Sequence, residues 1–266
     1  MREALALLRA GWLSAASYRL NLFFSLIGLA VSLVPLYFVA QALQPVAAQS
    51  ISDEGGRYFA FLAVGLAVFF FISSAVMSLP NAIGGGISSG TLEALLATPA
   101  PIPSLLLGLV SFDMMWAAIR AAGLLAAAML LGLRIVPAGI PLALLGLALT
   151  IVAYFGIGLG LAAMILIFRT TGPLGSGILA ASGLLGGAYY STTVIPSWIQ
   201  HLAVLVPLTY GLRVIRRAIL AGLPPEAITP DLVRLSIAAA VLLLLGGLCF
   251  RAALRHARGQ GSLGQY

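Results

Sequence analysis

The sequence predicts an all-α membrane protein with six transmembrane helices, and three observations carry the prediction. Hydrophobic residues make up 61% of the 266-residue chain and charged residues 8%. The mean hydropathy is +1.11. A soluble domain carries about 25% charged residues, and a chain this size cannot bury so much apolar surface within itself, so its solvent is lipid. The apolar residues also form runs of about 20 or more, the length a bilayer crossing needs, with polar breaks between them.

Residues 1–19 hold Arg2, Glu3, Arg9 and Arg19, with Leu5, Leu8 and Trp12 at helical spacing. This predicts an amphipathic helix lying in the head-group layer, with a plain polar tail as the alternative. Residues 20–258 form the six-span domain, and 259–266 a flexible tail. The spans run over about Leu20–Leu43, Tyr58–Leu79, Leu105–Leu133, Pro141–Phe168, Leu174–Tyr190 and Leu232–Phe250. Ala40-Gln41-Ala42 resembles a signal-peptidase site, but the run before it exceeds the 7–15 residues of a signal h-region, so it reads as a retained first span. Pro80 and Gly84-Gly85-Gly86 are expected to end the second span. A short segment, about 87–98, follows, closed by Pro99, Pro101 and Pro103. The stretch 191–222 is apolar yet broken by Pro196 and Pro207, which predicts a re-entrant helical hairpin covered by protein.

Composition excludes several activities. All 14 basic residues are Arg, so the Lys of a phosphate-binding P-loop is missing, as is any Schiff-base lysine. The net charge of +7 is spread between apolar runs, which fits membrane anchoring and argues against nucleic acid. Cys249 is the only cysteine and permits no intrachain disulfide. His201 has no second ligand nearby, so no metal site is expected, and no Ser or Thr has a His–acid pair, so no catalytic residue is expected either. With the N-terminus inside, seven Arg flank the inner side and six the outer (Arg57, Arg134, Arg213, Arg216, Arg217 and Arg234).

Two segments carry the functional signal. Gly90-Thr91-Leu92-Glu93-Ala94-Leu95-Leu96-Ala97-Thr98-Pro99 reads as a short helix with Leu92, Leu95 and Leu96 on one face and Glu93 exposed, clamped by Gly and Pro. Such a helix suits either docking to a partner or an ordinary surface loop. After the fifth run come Tyr189-Tyr190, then Pro196, Trp198 and Gln200, then Pro207 and Tyr210. These aromatics either line a mouth or anchor at the interface. Arg213, Arg216 and Arg217 share a helix face and either meet phosphate groups or snorkel. Asp113 and Arg120 interrupt the third span seven residues apart, about 10 Å along a helix and too far for a direct pair; Arg120 is a candidate conduit residue.

The string Gly-Thr-Leu-Glu-x-Leu-Leu-x-Thr-Pro at 90–99 resembles the coupling-helix loop of type-two ABC exporter permeases. The pattern from Tyr189 through Pro196, Trp198, Gln200, Pro207, Tyr210 and Arg213 is similar to that family's segment between spans five and six, its outer gate. The resemblance covers nearly the whole chain. It implies that Gly90, Thr91, Leu92, Glu93, Leu95, Leu96, Thr98 and Pro99 contact an ATPase, with Glu93 at the centre. It further implies a homodimer of this chain with two copies of a separate ABC ATPase, which would bind the ATP and Mg. The expected location is the cytoplasmic (inner) membrane, with both termini cytoplasmic. Expected cargo is a polysaccharide, lipid-linked glycan, lipid or drug. An ATP-independent secondary transporter is the rival, although the spans hold few ionisable groups and no clear inverted repeat.

Overall fold

The computed structural model describes residues 19–90, 102–168 and 170–259. The expected interfacial helix, apart from Arg19, and the terminal tail beyond 259 lie outside the described residues. The helices are α1 (Arg19–Ala47), α2 (Tyr58–Ser88), α3 (Ile102–Leu130), α4 (Ile140–Phe168), α5 (Leu174–Leu185), α6 (Ser197–Ala203), α7 (Pro207–Arg216) and α8 (Pro225–Gly259). Short helical turns at Gln49–Glu54 and Pro137–Gly139 link α1 to α2 and α3 to α4. A π turn, Arg217–Ala221, extends α7.

Helices α1, α2, α3, α4 and α8 are long and apolar enough to cross a membrane. Every backbone N–H and C=O within a helix is paired, which makes the helix the affordable conformation in lipid. The fifth expected span, Leu174–Tyr190, is different. Helix α5 has 12 residues, about 18 Å, against a hydrocarbon core of about 30 Å. Gly187, at φ +78°, turns the chain away soon after α5 ends.

Among the boundaries that differ from the sequence expectation, two fall at prolines. Pro80 does not end the second span: α2 continues through it to Ser88. Leu79, Pro80 and Ile83 are all buried, so neighbouring helices enclose the lost hydrogen bond, and breaking the helix in lipid would orphan several more. The last helix begins at Pro225, seven residues before the expected Leu232. Pro225 takes the first helical position, where its missing N–H costs nothing, and Pro230 falls in the next turn.

Helix α4 is the central element. It packs along α8 on one side and along α2 and α7 on others. Gly156 and Gly246 let α4 and α8 touch backbone to backbone: a Cβ on either would meet the other helix's main chain, at Leu242 and at Gly156 respectively. A Cβ on Gly158 would lie 2.5 Å from the Ala75 carbonyl of α2. One core cluster joins α2, α4 and α7 through Val68, Ile72, Tyr154, Leu208 and Leu212. A second joins α1, α2 and α3 through Leu33, Phe61 and Leu124.

Candidate functional site

The two ends of the bundle differ in chemistry. One end gathers the α1–α2 turn, the α3–α4 loop, the residues after α5, helix α7 and the start of α8. At its centre stands Arg216, which is 1% exposed. A guanidinium cannot lie there without partners, because desolvating a charge costs several kcal/mol. The partners arrive from three separate elements. Its Nη1 donates to Glu54 Oε2 at 3.2 Å and to the Gly187 carbonyl at 2.9 Å. Its Nη2 donates to the Phe61 carbonyl at 2.9 Å and the Ala188 carbonyl at 3.1 Å. The guanidinium also lies over the Phe61 ring, 3.3 Å from its centroid. Arg216 lies on α7, outside the five long helices; burial lowers its pKa to about 10, with the Glu54 charge opposing, so it stays protonated at neutral pH.

Glycine makes this clasp possible. Gly65 on α2 faces it: a Cβ there would meet the Ala188 carbonyl and lie 2.6 Å from Arg216 Nη2. Around the clasp, Tyr58 donates its hydroxyl to the Tyr189 carbonyl at 2.9 Å. Arg217 pairs with the buried Asp231 of α8 at 2.8 Å, and Arg234 approaches the same carboxylate at 3.6 Å. Arg213 donates to Thr192 Oγ1 at 2.7 Å. Helices α2, α7 and α8, the 49–54 turn and the segment after α5 are thereby tied together by directional bonds.

This arrangement corrects one expectation. Arg213, Arg216 and Arg217 do not present one face to head groups. Arg216 is enclosed by protein, and the other two reach different partners, Arg213 to Thr192 and Arg217 to Asp231. Arg120 is half-buried and lies 5.1 Å from the Phe70 ring centroid on α2. Among the described residues it forms no ion pair with Asp113, in keeping with their spacing.

The other named residues divide as follows. Trp198 is 68% exposed at the start of α6, capped by Pro196. Tyr189 and Tyr190 follow α5 and are partly exposed. Gln200 donates back to the Ile195 carbonyl at 2.8 Å, which closes the α6 turn. Pro207 and Tyr210 are buried, and the Tyr210 hydroxyl donates to the Val204 carbonyl at 2.9 Å. Gly90 closes α2's far end in a left-handed conformation, φ +69°. Thr91, Leu92, Glu93, Leu95, Leu96, Thr98 and Pro99 lie outside the described residues. Sequence reasoning missed Glu54, Gly65 and Asp231 as members of the clasp network. An acid in a linker and one at a helix start were the available signals, without any local indication of their partners.

A bundle of apolar helices with a polar clasp at one end defines a polytopic membrane protein. A family model described as ABC-2 type transporter matches residues 2–220. The chain belongs to that family and is its membrane permease domain, a transport subunit without an ATPase domain. Members of the family work with ABC ATPase subunits. No curated protein matches the chain.

Proposed function

We propose that this permease is the membrane half of an ATP-driven exporter. Two copies would form the pathway and two copies of a separate ATPase, binding ATP and Mg, would dock at the end that carries Gly90. Cargo would be an amphipathic molecule: a polysaccharide, lipid-linked glycan, lipid or drug. Both termini would be cytoplasmic and the clasp end would face outward from the inner membrane.

The observation that supports this reading most is α2. Its 31 residues, about 46 Å of helix, run unbroken from the Arg216 clasp to Gly90 at the start of the 90–99 segment. A push on that segment by an ATPase would therefore be delivered along one rod to the far end. Glu93 and its neighbours would make the ATPase contact. Trp198, Tyr189 and Tyr190, exposed beside the clasp, would form the gate, with Pro196, Gln200, Pro207 and Tyr210 shaping its short helices. Helix α5 supports a sixth crossing built from pieces: Gly175 meets Met77 of α2, Gly183 meets Phe69, and Ala188 reaches Gly65. The remaining depth would be supplied by residues 189–206 folding over the top.

The test is a pull-down from native membranes in mild detergent with a tagged chain, beside Glu93→Arg. A P-loop ATPase recovered in equal amount, and lost with Glu93→Arg, is the expected result. Absence of any ATPase from every mild extraction would overturn the reading and favour an ATP-independent transporter.

A further inference from the structure

Six arginines were expected at the clasp end, and the structure sorts them. Arg216, Arg217 and Arg234 have carboxylate partners, and Arg213 has Thr192. Arg57 and Arg134 are left. Among the described residues, Arg134 has no hydrogen bond, ion pair or ring partner. Arg57 has one bond, from Nη1 to the Gly132 carbonyl at 2.9 Å. That bond draws the start of α2 to the α3–α4 loop and sets both guanidiniums on the wall of one cavity of about 330 Å³. Its other walls are Gly55, Ala60 and Leu220, with no carboxylate. Asp53, without an ion pair among the described residues, lines a neighbouring cavity instead. Both arginines are exposed at the rim of this open cavity, where two like charges repel each other and an anion between them is favoured.

A second cavity, of about 300 Å³, adjoins the first and shares Arg57 and Ala60. It adds Tyr37 and Gln41 of α1, neither of which has a hydrogen-bond partner among the described residues. Gln44, on the same wall, is already committed: it donates to the Gly56 carbonyl and accepts from the Tyr58 N–H. Apolar side chains further down α1 continue into what would be lipid, with Phe38 66% and Val34 47% exposed. Cationic groups, then uncharged polar groups, then apolar surface follow in the order of an anionic phospholipid.

We propose that Arg57 and Arg134 bind the phosphodiester of an anionic phospholipid head group, with Gln41 and Tyr37, deeper along α1, meeting its glycerol ester groups. Guanidinium forks suit phosphate oxygens. The proposal needs only that the chain lies in a membrane and does not depend on the cargo.

Native mass spectrometry of the full-length protein, titrated with phosphatidylglycerol, tests it. Arg57→Gln/Arg134→Gln should weaken binding at least tenfold. Arg251→Gln/Arg255→Gln, the same charge change at the opposite end, should change it less than twofold. Arg134→Gln alone breaks no internal contact, so it should weaken binding several-fold with an unchanged melting temperature. Equal losses in both double variants would mean general charge attraction and overturn the site, as would unchanged binding in Arg134→Gln. Inorganic phosphate bound with the same arginine dependence, without phosphatidylglycerol binding, would overturn the lipid assignment in favour of a free anion.

Discussion

The clasp end and the opposite end of the bundle are held by different forces. At the clasp end, the three ion pairs among the described residues and a set of side-chain bonds link segments far apart in sequence. At the opposite end α2, α3, α4 and α8 meet through apolar side chains, among them Ile83, Val110, Leu166 and Leu254. The side-chain bonds of Ser88 and Ser176 there stay within their own turns. Directional bonds specify one geometry and break all at once. Apolar contacts are non-directional. Among the described residues, long-range ion pairs are therefore a property of the clasp end.

The largest effect that would break this comparison lies at Arg216. Arg216→Leu leaves Glu54 and three carbonyls buried without their cation, a loss on the order of 3–5 kcal/mol. We expect a sharp fall in membrane yield and in the thermal midpoint in detergent. Glu54→Gln keeps a neutral acceptor and three carbonyl bonds, so it should cost roughly 1–2 kcal/mol. If Arg216→Leu melts like wild type, the clasp does not hold this end together.

The next test sets one glycine against another on the same helix. Gly65→Ala drives a methyl group into the Ala188 carbonyl at the clasp and should cost about 1–3 kcal/mol. Gly85→Ala, near the opposite end of α2, meets nothing within 4 Å and should be neutral or stabilising by roughly 0.4–1 kcal/mol. Parallel thermal melts decide the point: equal midpoints would remove the contrast between the ends.

The same contrast explains what was legible in the sequence. Spans were readable because hydropathy is a local property, and four of the five long helices match their expected runs closely at one end or both. The end of α2 was misread because proline signals a lost hydrogen bond but not whether neighbours enclose it. The short α5 was misread because apolar composition continues past Leu185, although Gly186-Gly187 was the available warning. The clasp was not legible. Arg216 meets partners 155 and 162 residues earlier in the chain, and no periodicity within α7 encodes a contact of that range. Helical spacing could not say which of the three arginines would turn inward.

A third test separates coupling from stability. Glu93→Arg should abolish ATPase recovery and lower transport at least tenfold, with the melting midpoint unchanged, because the sequence expects Glu93 on a polar face and a surface charge reversal falls within about 0.5 kcal/mol. A lowered midpoint would make Glu93 a structural residue instead.

The smallest stability effect is expected at Trp198. Its side chain is 68% exposed on α6, a seven-residue helix whose geometry is held by Pro196 and by the Gln200 bond to Ile195 rather than by the indole. Trp198→Ala should therefore leave the midpoint within about 0.5 kcal/mol of wild type. If the indole belongs to the gate, it acts on a passing molecule and not on the fold. Transport of a bulky amphiphile should then change several-fold while ATPase binding stays intact, and Trp198→Phe should restore most of the difference. A variant that melts, binds ATPase and transports like wild type would assign the indole to interfacial anchoring. The clasp end would then work through its clasp alone.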